Sequence, residues 1–368
     1  MSRLLGFGTF DESAHPRIRV LLDGMADRGW QVSRLNRPLG FSTAERVEML
    51  QKPWRAGLLA ARLADRWTRL ALGSLRFRGA AAPDAVMVGY MGHFDVLLAR
   101  LLFPRTPIVL DHLIFAAGTA SDRGAKGTLL LGALRFLDRI ALGAADVIVV
   151  DTAEHRARLT PVQQERAVIA AVGAPEAWFE VARGGRAQGR PLRIVFFGLF
   201  TPLQGTPTIA RALRRLHDCD VPFRATLIGS GQDHAECRRI LEGVDEVQWV
   251  PWVDGADLPA LVADHDVCLG ITGTTPKAAD VVPNKVYQGI AARCVVVTSD
   301  TAPQRRVLAD AAVLVPAGDD DAMASALQTL ANDSSAFDSA RERSERARDR
   351  FRPHEVVADL EARLCAVR

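Results

Sequence analysis

The stretch from Val267 to Asp300, VCLGITGTTPKAADVVPNKVYQGIAARCVVVTSD, constrains the fold of this chain more than any other. Two apolar, β-branched runs, Val267 to Ile271 and Val295 to Thr298, bracket a polar loop and a segment of helical periodicity. Strand, helix and strand in that order make a βαβ unit. The loop holds Gly273, Thr274, Thr275, Lys277, Asp280, Asn284 and Lys285, and the helix is expected to begin near Pro283, since proline is tolerated in a first turn. A helix start with lysines beside it suits an anion: the free N–H groups and the positive dipole end favour phosphate, and each lysine adds a charge. An ordinary loop with solvated lysines has the same composition, so this stretch alone leaves both readings open.

The rest of the chain repeats the alternation. Strand-like runs at Leu4–Phe7, Trp30–Leu35, Ala85–Val88, Pro107–Leu110, Val147–Val150 and Ala167–Ala171 are separated by helical patterns, including Phe94–Leu102 and Ala125–Ala144. A second set follows at Arg193–Phe197, Phe223–Ile228, Val247–Val250, the opening stretch, and Ala312–Val315. Between the sets, Ala182 to Pro191 has three glycines, a proline and no apolar run, and reads as a linker. Two doubly wound α/β domains are expected, at 1–182 and 183–349, and 368 residues suit that number. The tail from Ser334 reads as helical, broken at Pro353.

Open α/β sheets bind ligands beyond the C-terminal ends of their strands. In the first half those positions carry His15 and Arg17, then His93, then Asp111 and His112. Each suits a site or an ordinary surface or capping role, and Asp111 suits an orienting carboxylate or an N-cap. In the second half they carry GLFTPLQGT, which runs from Gly198 through Gln204 and Gly205, and the Gly229-Ser230-Gly231 turn. Small residues there let backbone N–H groups face a ligand. Neither loop is a Walker A or a GxGxxG motif.

Composition narrows the classes. With 48% hydrophobic and 24% charged residues the chain is globular, and a net charge of +3 with no recognised motif gives no argument for nucleic acid. The five cysteines lack metal or disulfide spacing, which makes a reducing cytoplasm the expectation. No signal-peptide pattern and no spanning run of ~20 apolar residues is present. Residues 44–78 hold a basic, Trp-containing amphipathic pattern. It suits either peripheral contact with the inner membrane face or a helix packed on its own domain.

Taken in order, GLFTPLQGT, LIGSG, DVCLGI, VPNKVYQGIAA and PAGDDDAMASAL resemble the nucleotide-sugar half of the retaining glycosyltransferases of family 4, which have the GT-B fold. GTFDESAHPRIRVLLDGMADRGW and the run from LDHLIF to LDRIALGAADVIVVDTAEH look like the acceptor half. The resemblance implies two Rossmann-like domains facing a central cleft, with a final helix, about 350–368, crossing back to the first. It implies a metal-independent transfer, without a cofactor, from a nucleoside diphosphate sugar to a hydroxyl acceptor. On this resemblance, the donor is held by Gly198, Gln204, Gly205, Gly229, Lys277, Asp280, Val282, Asn284 and Gln288. Lys285 stabilises the leaving diphosphate, with Arg17 a further candidate there, and His112 contacts the donor sugar. His93 or Asp111 positions the acceptor in a cleft that also holds His15 and Arg17.

Two departures from the family pattern stand out. The acidic pair of its Glu-x7-Glu motif falls on Asp280 and Gln288, so an amide replaces the carboxylate expected at the ribose. The basic pair of its first donor loop falls near Leu199 and on Gln204, which removes two positive charges. These departures motivate a second reading, a catalytically degenerate nucleotide-binding or scaffold protein. A nucleotide-sugar epimerase on the same fold is a third, for which no carboxylate set calls.

Overall fold

The computed structural model describes residues 1–12, 15–40, 53–113, 115–116, 128–182 and 191–367. The chain divides into two compact units, Met1–Ala170 with Val356–Arg368, and Ala171–Glu355. The first unit runs β1 (Arg3–Gly8), α1 (Arg17–Asp27), β2 (Gln31–Asn36), α2 (Pro53–Ser74), β3 (Ala85–Val88), α3 (Asp95–Leu102) and β4 (Ile108–Asp111). It continues with α4 (Thr128–Ala144), β5 (Val147–Val150), α5 (Ala153–Ala157), α6 (Pro161–Glu165) and β6 (Ala167–Ile169). Its strands are all parallel, in the order β2-β1-β3-β4-β5-β6. Every residue of β3, β4 and β5 is buried, as expected of parallel strands covered on both faces.

The second unit contains α7 (Ala177–Glu180), β7 (Leu192–Phe197), α8 (Thr206–Asp218), β8 (Phe223–Ile228), α9 (His234–Ile240), β9 (Val247–Val250), α10 (Leu258–Ala263) and β10 (Val267–Leu269). Then come α11 (Pro276–Asp280), α12 (Asn284–Ala291), β11 (Val295–Ser299), α13 (Ala302–Leu308), β12 (Ala312–Val315), α14 (Asp320–Asn332), α15 (Ser334–Arg348) and α16 (Pro353–Val356). The sheet order is β12-β11-β10-β7-β8-β9, so the topology reverses between β7 and β10. The last helix, α17 (Ala358–Ala366), is part of the first unit. There Leu360 and Leu364 are buried, Glu361 pairs with Arg28 and accepts from Trp30 Nε1 at 3.2 Å, and Arg363 donates to the Glu165 carbonyl.

The units part at 170/171, not at the 182/183 boundary read from the sequence. Apolar side chains explain the difference: Trp178 stacks on Phe197 of β7, and the Phe179 ring packs on the guanidinium of Arg348 on α15, which also donates to the Phe179 carbonyl. Residues 183–190 of the expected linker lie outside the described residues, as do residues 44–52 of the amphipathic stretch. In the described part of that stretch, Trp67 turns inward, its Nε1 donating to Asp95 at 3.0 Å, while Leu58, Leu72 and Leu75 are exposed. No helix among the described residues is long and apolar enough to cross a membrane.

An aspartate placed immediately before a strand recurs three times. Asp84, Asp146 and Asp266 precede β3, β5 and β10, and their carboxylates accept the N–H of Arg3, Ile108 and Arg193 at the starts of neighbouring strands. Parallel ladders leave such N–H groups unpaired at their ends, and a carboxylate satisfies them with a charge-assisted bond. These acids secure the ends of the sheets away from the ligand-binding edge.

Candidate functional site

In the second unit, loops leaving the C-terminal ends of β7, β8 and β10 are packed backbone to backbone. Gly205 has φ +67°, and a Cβ there would stand 2.4 Å from the Gly273 nitrogen. At Gly229 a Cβ would meet the Gly198 carbonyl oxygen at 2.0 Å. Only glycine permits both approaches. Hydrogen bonds fasten the same loops: Thr272 N donates to the Gln204 carbonyl at 3.0 Å, Thr272 Oγ1 to the Gly205 carbonyl at 2.8 Å, and Phe200 N to the Ser230 carbonyl at 2.9 Å. The Gly318 N–H adds a bond to the Thr272 carbonyl from the turn after β12.

Lys285 reaches into this frame from the first turn of α12, whose N-cap is Pro283. Its side chain is 5% exposed. The ammonium donates to Gln204 Oε1 at 2.6 Å and lies 3.7 Å from the centre of the Phe196 ring, a cation–π distance. It would also stand 3.0 Å from a Cβ at position 198, so Gly198 leaves room for it. Among the described residues no carboxylate opposes the charge, and burial drives the Lys285 pKa down to about 7. A lone buried ammonium next to a helix start at a topological switch point favours an arriving anion: the anion would supply the missing counter-charge.

Other residues named from the sequence lie on α12 and on the segment just before it. Gln288 lies three residues after Lys285 on the same helix, buried, which puts the two on one face. Val282 is buried and Asn284 half-buried at the start of α12. Lys277 and Asp280 are half-buried on α11, a short helix capped by Thr275 within the stretch expected as loop. Burial pushes the Cys268 thiol up to about 12, which fits a small apolar filler and not a nucleophile. Phe196, the floor beneath Lys285, was missed because inside an apolar strand it carries no sign of a ligand role.

The first unit gathers a different set. Arg17 is 2% exposed; its Nε donates to Asp111 at 2.8 Å and its Nη1 to the Ala170 carbonyl at 3.0 Å. This pair joins the start of α1 to the end of β4 and to the chain after β6. Arg17, which the resemblance offers to a phosphate or the cleft, is thus paired with Asp111. Burial pushes the Asp111 carboxyl up, and the guanidinium offsets this only in part. His15 packs on the Tyr90 ring, centres 4.0 Å apart. His93 and His112 do come together, with ring centres 5.2 Å apart, and Asp138 of α4 joins them, its Oδ1 3.0 Å from His93 Nε2. Burial, with His93 adding to it, lowers His112 to about 3, so its imidazole is neutral. For Asp138 burial acts upward, but hydrogen bonds from His93 and the Ala116 N–H hold the carboxyl below its usual range. Asp138 escaped the sequence reading because it is one acid on the amphipathic helix LLLGALRFLDRIALGA.

Comparison with known proteins places this geometry. Residues 191–333 match the family model described as glycosyl transferases group 1. No curated protein matches the sequence. Among solved structures, sucrose-phosphate synthase from Thermosynechococcus elongatus superposes over 100% of both chains at 16% identity, with a TM-score of 0.67. HepE from Anabaena in complex with UDP-glucose does so over 100% of both chains at 12% identity, TM-score 0.67. E. coli trehalose-6-phosphate synthase with UDP-2-fluoro glucose covers 99% of each chain at 15% identity, TM-score 0.65. Over its whole length the chain thus has the two-domain α/β fold of these structures, and its second unit carries the match to glycosyl transferases group 1.

Proposed function

We propose that this protein is a glycosyltransferase that binds a nucleoside diphosphate sugar on its second unit and transfers the sugar to a hydroxyl acceptor. The observation that carries the reading is Lys285, a buried ammonium with no carboxylate partner among the described residues, set at the β7/β10 switch point inside the segment that matches the family model. UDP sugars are the first donors to test, because solved relatives hold UDP-glucose and its fluoro analogue.

In the proposed reaction the bond between the anomeric carbon and the diphosphate oxygen breaks as the acceptor oxygen bonds to that carbon. Negative charge builds on the departing oxygen, and fixed positive groups at that point lower the barrier. Lys285 and the first-turn N–H groups of α12 supply them. Transfer proceeds with retention: the acceptor approaches on the face the diphosphate leaves, a diphosphate oxygen takes its proton, and no enzyme nucleophile or metal is required at the diphosphate. Gln288 hydrogen-bonds a ribose hydroxyl as a neutral amide, weaker than a carboxylate would be. Gln204 yields the Lys285 ammonium to the diphosphate and then donates its own amide N–H groups to it.

Thermal stabilisation by a panel of nucleoside diphosphates and their sugars tests this directly. A ligand at a hundred times its Kd adds about 2.7 kcal/mol, a readily measured shift. A matching nucleotide should raise the melting point of the wild type and much less that of Lys285→Met; a panel with no active member would refute the reading. Gln204 and Gln288 favour one alternative, a protein that binds nucleotide without transfer. It predicts stabilisation with no release of nucleoside diphosphate from any donor.

A further inference from the structure

Among the described residues, one group of three or more histidine, cysteine or acidic side chains is arranged to hold a metal ion, and all of it belongs to the first unit. It is His93, His112 and Asp138, all buried, with one ligand atom from each within 4.8 Å of the other two. Three elements deliver it. His93 stands in the turn between β3 and α3, His112 follows β4, and Asp138 faces them from α4. Backbone bonds fix two of the three: the His112 N–H donates to the Val149 carbonyl at 2.8 Å, and Asp138 Oδ1 accepts the Ala116 N–H at 2.9 Å. His112 Nε2 is fully buried and makes no hydrogen bond among the described residues. Phe115 closes one side, edge-on to the His112 ring at 4.6 Å.

A buried imidazole nitrogen without a partner is costly unless something occupies its lone pair. We propose that His93, His112 and Asp138 form a binding site for a first-row divalent metal ion, zinc foremost, in the first unit. Two imidazoles and one carboxylate are the donor set such ions take, and three protein ligands leave a coordination position open to water or a substrate oxygen. Bringing atoms now within 4.8 Å of each other onto one ion at bond lengths of ~2.0–2.2 Å needs only small side-chain movements. The site gives His112 a ligand role in place of the donor-sugar contact that the family resemblance implies. It also places a metal where that resemblance implies none, and it leaves the charge balance at the diphosphate to Lys285.

The test uses tag-free full-length protein, stripped with chelator, incubated with zinc and passed over a desalting column. The wild type should retain about one zinc per chain, and His112→Gln and Asp138→Asn should each retain at least about tenfold less at equal protein. No retained zinc in the wild type, or equal retention in both variants, would overturn the proposal. Should the variants misfold, cobalt loading of the wild type decides. Visible absorption typical of a four- or five-coordinate cobalt with nitrogen and oxygen ligands supports the site, and a spectrum of free aqueous cobalt refutes it. Neither readout depends on glycosyl transfer, so the metal proposal can fail while the donor site stands, and the reverse.

Discussion

At the scale of single residues, two buried cations behave in opposite ways because only one has a carboxylate. Arg17 is paired with Asp111, and truncation would strand a buried carboxylate, so Arg17→Ala should cost about 3–5 kcal/mol in urea unfolding. Among the described residues Lys285 has Gln204 and a ring face but no carboxylate, and its proton is loosely held. Below pH 7 the lysine is charged in both the folded and unfolded chain. Between about 7 and its ordinary 10.5 the unfolded chain binds the extra proton, so stability rises with pH across that window. Binding of a nucleotide sugar, whose diphosphate keeps its charge there, should move the other way. Its affinity should fall by up to about tenfold per unit above pH 7 as the ammonium is lost, and Lys285→Met should flatten that slope in calorimetric titrations. The candidate site was legible here in part. Lys285 and Gln288 sit in a βαβ unit whose periodicity announces a helix start. Asp138 and Phe196 were not legible, because a lone acid or ring in an apolar element gains its role only from what the fold sets opposite it.

At the scale of elements, the strands were the most legible part of the sequence. Parallel strands buried on both faces read as continuous β-branched runs, and Ala85–Val88 and Val147–Val150 fall where their composition puts them. Short helices were harder to read: α11 owes its single turn to a Thr275 cap and a proline, with too few residues to show a period. The 170/171 edge of the compact units is hard to read for a related reason. Glycine and proline marked where the chain is polar, but Trp178 and Phe179, just before that segment, decide which core the chain has already joined. Helix α17 shows the same principle at the other end. Ending the chain after Glu355 removes Leu360 and Leu364 from the first unit, a loss of about 3–6 kcal/mol by apolar burial. In a truncated protein the first unit should melt early while nucleotide-dependent stabilisation of the second persists.

At the scale of the whole molecule, each unit has its own apolar core, one drawn from Leu192 to Ala340 and the other from Leu5 to Leu159. A fragment spanning residues 171–355 should therefore unfold cooperatively by itself and keep its stabilisation by nucleoside diphosphate. If this second core presents Lys285 to a leaving diphosphate, sugar transfer itself must depend on that lysine. Release of nucleoside diphosphate would be measured for wild type and Lys285→Met across a panel of nucleotide sugars and hydroxyl acceptors. Acceptor-dependent release is expected from at least one donor, reduced about a hundredfold or more in the variant. Equal rates in the two proteins, or no release from any donor by the wild type, would contradict that role for Lys285.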